Sequence, residues 1–288
     1  MGDFERTGRG LLTFSCMAVL LAALYFLLAA TPAARPNTGK ASSAQNAAGA
    51  AAAPVNRFVY GKSGLGQELF CTGIAPEGDS RARLLLTYEV HGFEDDYPRD
   101  GQTLVDIGNA VIAYFSGRRA ALASCTLYVV PSANPDGLAY GTTAYGKGRC
   151  QISLGVDINR DFAYSFTPIG SAREHTLSAP FSAPESRALE ALVQKIKPNA
   201  VIDTHGWYNE FIGSEALDGP FRQNLGMQSA SRSDFSPRLQ HGFFSAWAGT
   251  QHAQAMLLEL PPRFDRDPAG AAEGIEKAVT QLAAQLSR

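Results

Sequence analysis

Arg83-Leu84-Leu85-Leu86-Thr87-Tyr88-Glu89-Val90-His91-Gly92-Phe93-Glu94 carries a short apolar run straight into an H-x-x-E pair. Its first eight residues predict a buried strand, because a continuous apolar run of this length suits a strand covered on both faces. Working outward, Thr126 to Val130 (TLYVV), Ala200 to Thr204 (AVIDT) and Ala255 to Leu260 (AMLLEL) read the same way, the first stopped by Pro131 and the last by Pro261-Pro262. Between them, Gly101 to Gly117 carries Leu104, Val105, Ile107, Val111, Ile112 and Phe115 as a helical stripe. Ser182-Ala183-Pro184-Glu185 reads as a capping box with proline inside the start of a helix through Ile196. Ala271 to Leu286 closes the chain as an amphipathic helix. Strands alternating with helices predict an α/β fold: a mixed, largely parallel central sheet with helices on both faces.

The rest of the chain divides by composition. Residues 1–10 form a short leading segment. Residues 11–30 (LLTFSCMAVLLAALYFLLAA) are long and apolar enough, at 1.5 Å per residue, to cross a hydrocarbon core of roughly 30 Å. We read them as a single-pass membrane anchor or a signal. Arg6 and Arg9 precede the segment and Arg35 and Lys40 follow it, so charge sets its orientation only weakly. An N-terminal segment of this kind is the usual export device, which places the remainder at the cell envelope, or secreted or periplasmic if the segment is cleaved. Residues 31–56 are rich in Ala, Pro, Ser, Gly and Asn and lack aromatic residues, the composition of a flexible linker. Residues 57–288 are left as one catalytic domain. A net charge of −2 gives no electrostatic footprint for nucleic acid, so none is expected as a partner. Cys71, Cys125 and Cys150 fall in the domain without a C-x-x-C; two of them could pair, and spacing does not choose which.

Chemistry-bearing residues sit where such a sheet places its sites, just past the carboxyl ends of strands. His91 and Glu94 follow one strand, His205 ends another and Glu259 ends a third. Two imidazoles and a carboxylate suit zinc, and a catalytic zinc commonly has three protein ligands and an open position. Gly92 is expected to let the chain turn so that His91 and Glu94 face one point. The chain has only five histidines, and His175, His241 and His252 lack comparable settings. A carboxylate in the apolar run Leu257-Leu258-Glu259-Leu260 is costly to bury unless it has a task, and Glu259 suits a general base. In Gly155-Val156-Asp157-Ile158-Asn159-Arg160-Asp161-Phe162, Asp157 could orient a metal-bound histidine, and Arg160 offers a planar fork for a carboxylate.

With these residues in hand, the chain resembles the zinc carboxypeptidase family. The resemblance is carried by His91-x-x-Glu94, Asn134-Pro135-Asp136-Gly137, Gly155 to Phe162, Asp203-Thr204-His205 and Glu259-Leu260, in the family's order. The opening Tyr60-Gly61-Lys62-Ser63-Gly64-x-Gly66 looks like the family's domain start. The resemblance implies one Zn2+ ion on His91, Glu94 and His205, Glu259 as general base, and Asp157 steadying His91. It implies that Asn159 and Arg160 hold the free carboxylate of a peptide substrate, and that an upstream arginine, here Arg149 with Lys147 nearby, polarises the scissile carbonyl. The expected activity is that of a zinc metallocarboxypeptidase.

Three departures bear on substrate. No tyrosine lies between Gly213 and Glu259, where digestive members keep a mobile one. Asp161 stands where asparagine is common and is expected to add negative charge near the carboxylate site. Gly242 to Trp247 has no acidic anchor for a basic side chain. A short, tethered domain looks more like bacterial cell-wall members such as murein tripeptide amidase. Two other readings are a zinc amidase or deacylase of the aspartoacylase-like branch, and a non-catalytic envelope binding protein.

Overall fold

Leu84, Leu86 and Tyr88 point to one side of their strand and Leu85 to the other, and all four are completely buried. Two-residue alternation therefore feeds two separate cores from one strand. The computed structural model describes residues 53–227 and 241–288. Among these, the sheet has seven strands: β1 (Val55–Lys62), β2 (Glu68–Ile74), β3 (Ala82–Tyr88), β4 (Cys125–Val130), β5 (Ala200–Gly206), β6 (Glu210–Gly213) and β7 (Gln254–Leu260). Their order is β1-β2-β4-β3-β5-β7-β6. The central run β4-β3-β5-β7 is parallel, and β2 and β6 are antiparallel to their neighbours. Since β1 is antiparallel to β2, it points with the central strands, so the sheet is mixed but mostly parallel.

On the first face lie α1 (Gly101–Ser116), α4 (Glu215–Leu225) and α6 (Pro268–Leu286), which bring Leu104, Ile107, Phe115, Phe221, Ile275 and Val279 onto Leu84 and Leu86. On the other lie α3 (Pro184–Ile196) and α5 (Phe244–Gly249), with Leu189, Leu192, Phe244 and Trp247 packed against Leu85 and Val201. A sheet buried on both faces needs apolar residues at every position, which is why its central strands read as unbroken apolar runs. The short α2 (Pro135–Tyr140) follows β4.

The elements without a strong apolar period were not legible. β1 and β2 form an edge hairpin whose residues are partly exposed, β6 has four residues, and α4 contains Gly219-Pro220. β1 begins at Val55, so the last two residues of the segment read as linker lie in the sheet. The apolar segment 11–30 lies outside the described residues; among the described residues no helix is long and apolar enough to cross a membrane. Cys71, Cys125 and Cys150 are all buried and free.

The start of α3 differs from the capping box expected of it. Ala183, not Ser182, is the N-cap residue, and no side chain of its own caps it. Ser182 Oγ instead donates to Asp161 Oδ1 at 2.7 Å, and Glu185 accepts from the Gly64 N–H at 2.7 Å. Asp161 takes over the capping, accepting from the Ala183 N–H at 2.8 Å and the Ser186 hydroxyl at 2.5 Å. A carboxylate at a helix N-terminus meets free N–H groups and the positive end of the dipole. Asp161 is therefore committed to α3, and does not add loose charge to the site as its sequence position suggested.

Candidate active site

The chain leaves β3 for β4 on one side of the sheet and later returns to lay β5 on the other. This is the reversal of strand order at which an open α/β sheet forms a crevice. His91 and Glu94 follow β3, and His205 sits near the end of β5, so the crevice brings them together. Glu94 is the hub: its Oε2 lies 3.2 Å from His91 Nδ1 and its Oε1 3.2 Å from His205 Nδ1. All three residues are buried, and their ligand atoms lie within 4.8 Å of one another. Three ligands about 2.0–2.2 Å from a tetrahedral ion would sit roughly 3.3–3.6 Å apart; the two histidine–glutamate separations approach this, and the donor set suits zinc.

Each imidazole is held from behind. His91 Nε2 lies 2.9 Å from Asp157 Oδ1, and His205 Nε2 lies 3.1 Å from Asp203 Oδ2. Thr87 on β3 donates to the other Asp203 oxygen at 2.8 Å. Such carboxylates fix the tautomer and ring plane of a metal-binding histidine and raise its basicity. Asp157 was singled out from sequence. Asp203 was not assigned this role, although its place two residues before His205, on the same face of β5, could have signalled it.

Electrostatics follows from the crowding. Burial alone would raise the Glu94 carboxyl, but His205 and His91 overrule it and hold it well below the usual carboxylate range. Burial opposes a proton on His205, yet Asp203 and Glu94 keep it on to well above the usual imidazole range. The cluster thus calls for positive charge at its centre, which a divalent cation would supply.

Glu259 is the direct register partner of His205 across the parallel β5–β7 pair. Its Oε2 is inaccessible and has no hydrogen-bond partner. Burial pushes its carboxyl up to about 7, His205 pulls it down, and Glu94 raises it. An unpartnered carboxyl beside the cluster, poised near neutrality, suits the transfer of a proton.

The loop after β3 is fastened by residues outside the ligand set. Asp100 accepts from the N–H groups of Glu94 at 2.5 Å and Asp96 at 2.9 Å, and from Trp207 Nε1 at 3.2 Å. Asn134 caps α2 by accepting from the Gly137 N–H at 3.0 Å, while its Nδ2 donates to the Val90 carbonyl at 3.1 Å. Gly92 lies in the bend at residues 90–92, without a left-handed φ. A Cβ there would collide with the backbones of Gly137 and Gly148, so the residue is glycine because two other segments press against it.

Asn159 and Arg160 lie on a 3-10 turn, Ile158–Arg160, capped by Asp157. Asn159 Oδ1 accepts from the Phe244 N–H at 2.9 Å, which leaves its NH2 group as the half that can meet a ligand. The Arg160 guanidinium stacks 4.3 Å from the Phe243 ring centroid and pairs with Glu174 Oε1 at 2.6 Å. Arg149 is buried, donates to the Phe93 carbonyl at 3.0 Å and lies 3.3 Å from Asp95 Oδ1, whereas Lys147 is exposed. In the 242–247 segment, Phe244 and Trp247 are core residues packed on Phe162, not a lining for a substrate side chain. Tyr208, just outside the stretch that lacks tyrosine, is exposed with its hydroxyl 3.4 Å from Asp95 Oδ2.

Residues 110–214 match the family model described as zinc carboxypeptidase. Over that span the chain carries the sequence of a zinc carboxypeptidase domain. The matched span contains Asp157, Asn159, Arg160 and His205 but stops short of His91, Glu94 and Glu259, whose place in the site rests on geometry. The chain is 39% identical over 210 residues to bacteriocin BCN5 of Clostridium perfringens, a match that covers 71% of this chain and 23% of that protein. The chain therefore spans under a quarter of its curated relative. Murein-tripeptide amidase MpaA of Escherichia coli O157 shares its fold with a TM-score of 0.57 at 23% identity, over 81% of this chain and 93% of that one. Carboxypeptidase A of Helicoverpa armigera does so with a TM-score of 0.63 at 17% identity, over 81% and 68%.

Proposed function

We propose that the domain is a zinc-dependent metallocarboxypeptidase that hydrolyses a C-terminal peptide or amide bond in peptides derived from the cell wall. The observation that carries this reading is the arrangement of His91, Glu94 and His205 around one point, each histidine braced by a carboxylate, with the unpartnered Glu259 in register beside them. His91, Glu94 and His205 would hold the metal, which when bound supplies Lewis acidity and lowers the pKa of water to about 7. Glu259 takes the proton from the attacking water and delivers it to the leaving nitrogen. Arg149 faces the oxygen on which negative charge grows. Arg160 and the Asn159 NH2 group orient the substrate by its terminal carboxylate.

The cell-wall assignment is supported by a structural neighbour that is a murein-tripeptide amidase and a sequence relative that is a bacteriocin. The apolar segment 11–30 and the linker after it support an envelope location for the exported domain, anchored or released.

One observation favours a second reading, a zinc amidase that does not require a free terminal carboxylate: Arg160 is already paired with Glu174. Short peptides with free and amidated C-termini, together with peptidoglycan fragments, separate the two when the products are analysed. A metallocarboxypeptidase loses the amidated peptides; equal cleavage of both forms would replace it with the amidase. A purified full chain that retains no zinc and cleaves neither pool would overturn both.

A further inference from the structure

Asp95 follows Glu94 with a left-handed φ of 95°, a conformation costly for a residue other than glycine unless its surroundings hold it. That backbone turns its carboxylate onto two guanidiniums at once. Oδ1 lies 3.3 Å from Arg149 NH1 and accepts from Arg173 NH1 at 2.6 Å, while Oδ2 accepts from Arg173 NH2. Arg173 is further held by the Ala144 carbonyl at 3.4 Å, and its own carbonyl accepts from Cys150 Sγ at 3.4 Å. On its other side, the Arg149 NH1 is fixed by the Phe93 carbonyl, one residue before Glu94. Arg149 Nε, by contrast, is buried and has no partner in the protein. A buried N–H with no protein acceptor is rare unless a water, ion or ligand completes it. One end of this guanidinium is clamped, and a donor elsewhere in it stays unused.

We propose that Asp95, braced by Arg173, is a positioning residue that sets the Arg149 guanidinium so that its unused donor meets the substrate's carbonyl oxygen. The inference rests on the hydrolase reading of the site and goes beyond it in naming what holds Arg149. Asp95 needs its full charge for this. An asparagine keeps the backbone, which it tolerates in the left-handed region, but offers one neutral acceptor to two cations. Arg173 neutralises a partly buried carboxylate next to Glu94. Its bidentate grip also leaves Asp95 only one orientation.

The test compares the wild type, Asp95→Asn, Arg149→Ala and the double variant, in the full chain loaded with zinc. Asp95→Asn is expected to lower kcat by about 10- to 100-fold, as misplacing a catalytic group does, with KM within about threefold and zinc content unchanged. In the Arg149→Ala background the same change should cost nothing further, because Asp95 acts through Arg149. A full, independent loss in that background overturns the proposal, and so does an undiminished kcat in Asp95→Asn. A crystal structure of Asp95→Asn provides an arm that needs no activity: Arg149 is expected to leave the Phe93 carbonyl, and a guanidinium that stays in place overturns the proposal. If the wild type hydrolyses nothing, the hydrolase reading fails, and the crystal arm still decides the role of Asp95. Should Asp95→Asn not fold, Arg173→Gln carries the same cycle, with Arg173→Lys expected to recover part of the lost rate.

Discussion

His205 on β5 stands directly opposite Glu259 on β7 across a parallel strand pair. The relation couples the site to the sheet itself: what fixes the distance between a candidate metal ligand and the candidate base is backbone register, not a loop. A one-residue slip of β7 alone would turn Glu259 to the face opposite His205.

Replacing Glu259 by glutamine removes the proton acceptor while keeping the shape. Turnover should fall by about 10²- to 10⁴-fold, the usual contribution of a positioned acid or base, with zinc content unaltered. Steady-state kinetics beside elemental analysis checks this, and hydrolysis at the wild-type rate would remove Glu259 from the mechanism.

Asp203→Asn leaves His205 without the charge behind its Nε2. Loss of such a partner typically weakens metal binding by about 10- to 100-fold. Competition with a chelator should show zinc leaving the variant at correspondingly lower chelator concentrations. Because bound metal stabilises only the folded chain, the zinc-dependent part of the thermal midpoint should shrink in parallel. An affinity equal to the wild type would mean that Asp203 only packs.

Glu174 occupies Arg160 in the absence of substrate. A substrate carboxylate has to share that guanidinium with it, so Glu174→Gln should lower KM. A partly exposed ion pair is worth about 0.2–1 kcal/mol, which corresponds to a decrease of up to roughly fivefold. A raised KM would indicate instead that Glu174 holds Arg160 in its working position.

Gly242 has a φ of 71°, and a Cβ there would strike the carbonyl of Arg160. Gly242→Ala should therefore displace Arg160 as well as strain the turn. The left-handed conformation alone costs a non-glycine residue about 1–2 kcal/mol. The measurable outcome is a lower thermal midpoint together with a raised KM for peptides with free C-termini; a change in neither would show that the loop adjusts freely.

The sequence by itself determined the central strands β3, β4, β5 and β7 and the helices α1, α3 and α6, because a sheet buried on both faces writes continuous apolar runs and its covering helices write a 3.6-residue period. It also placed His91, Glu94, His205 and Glu259 at strand ends, since strand ends can be read wherever an apolar run stops. Only the tertiary structure decided what depends on pairs distant in the chain. Asp161 looked like charge beside Arg160, and folding commits it to the start of α3. Gly92 looked like a turn, and folding makes it a point of contact with Gly137 and Gly148 as well. Asp203 behind His205, Asp95 between Arg149 and Arg173, and Glu174 on Arg160 carry no sequence period. Ion pairs and close backbone approaches are properties of juxtaposition, and juxtaposition exists only once the sheet has closed its order.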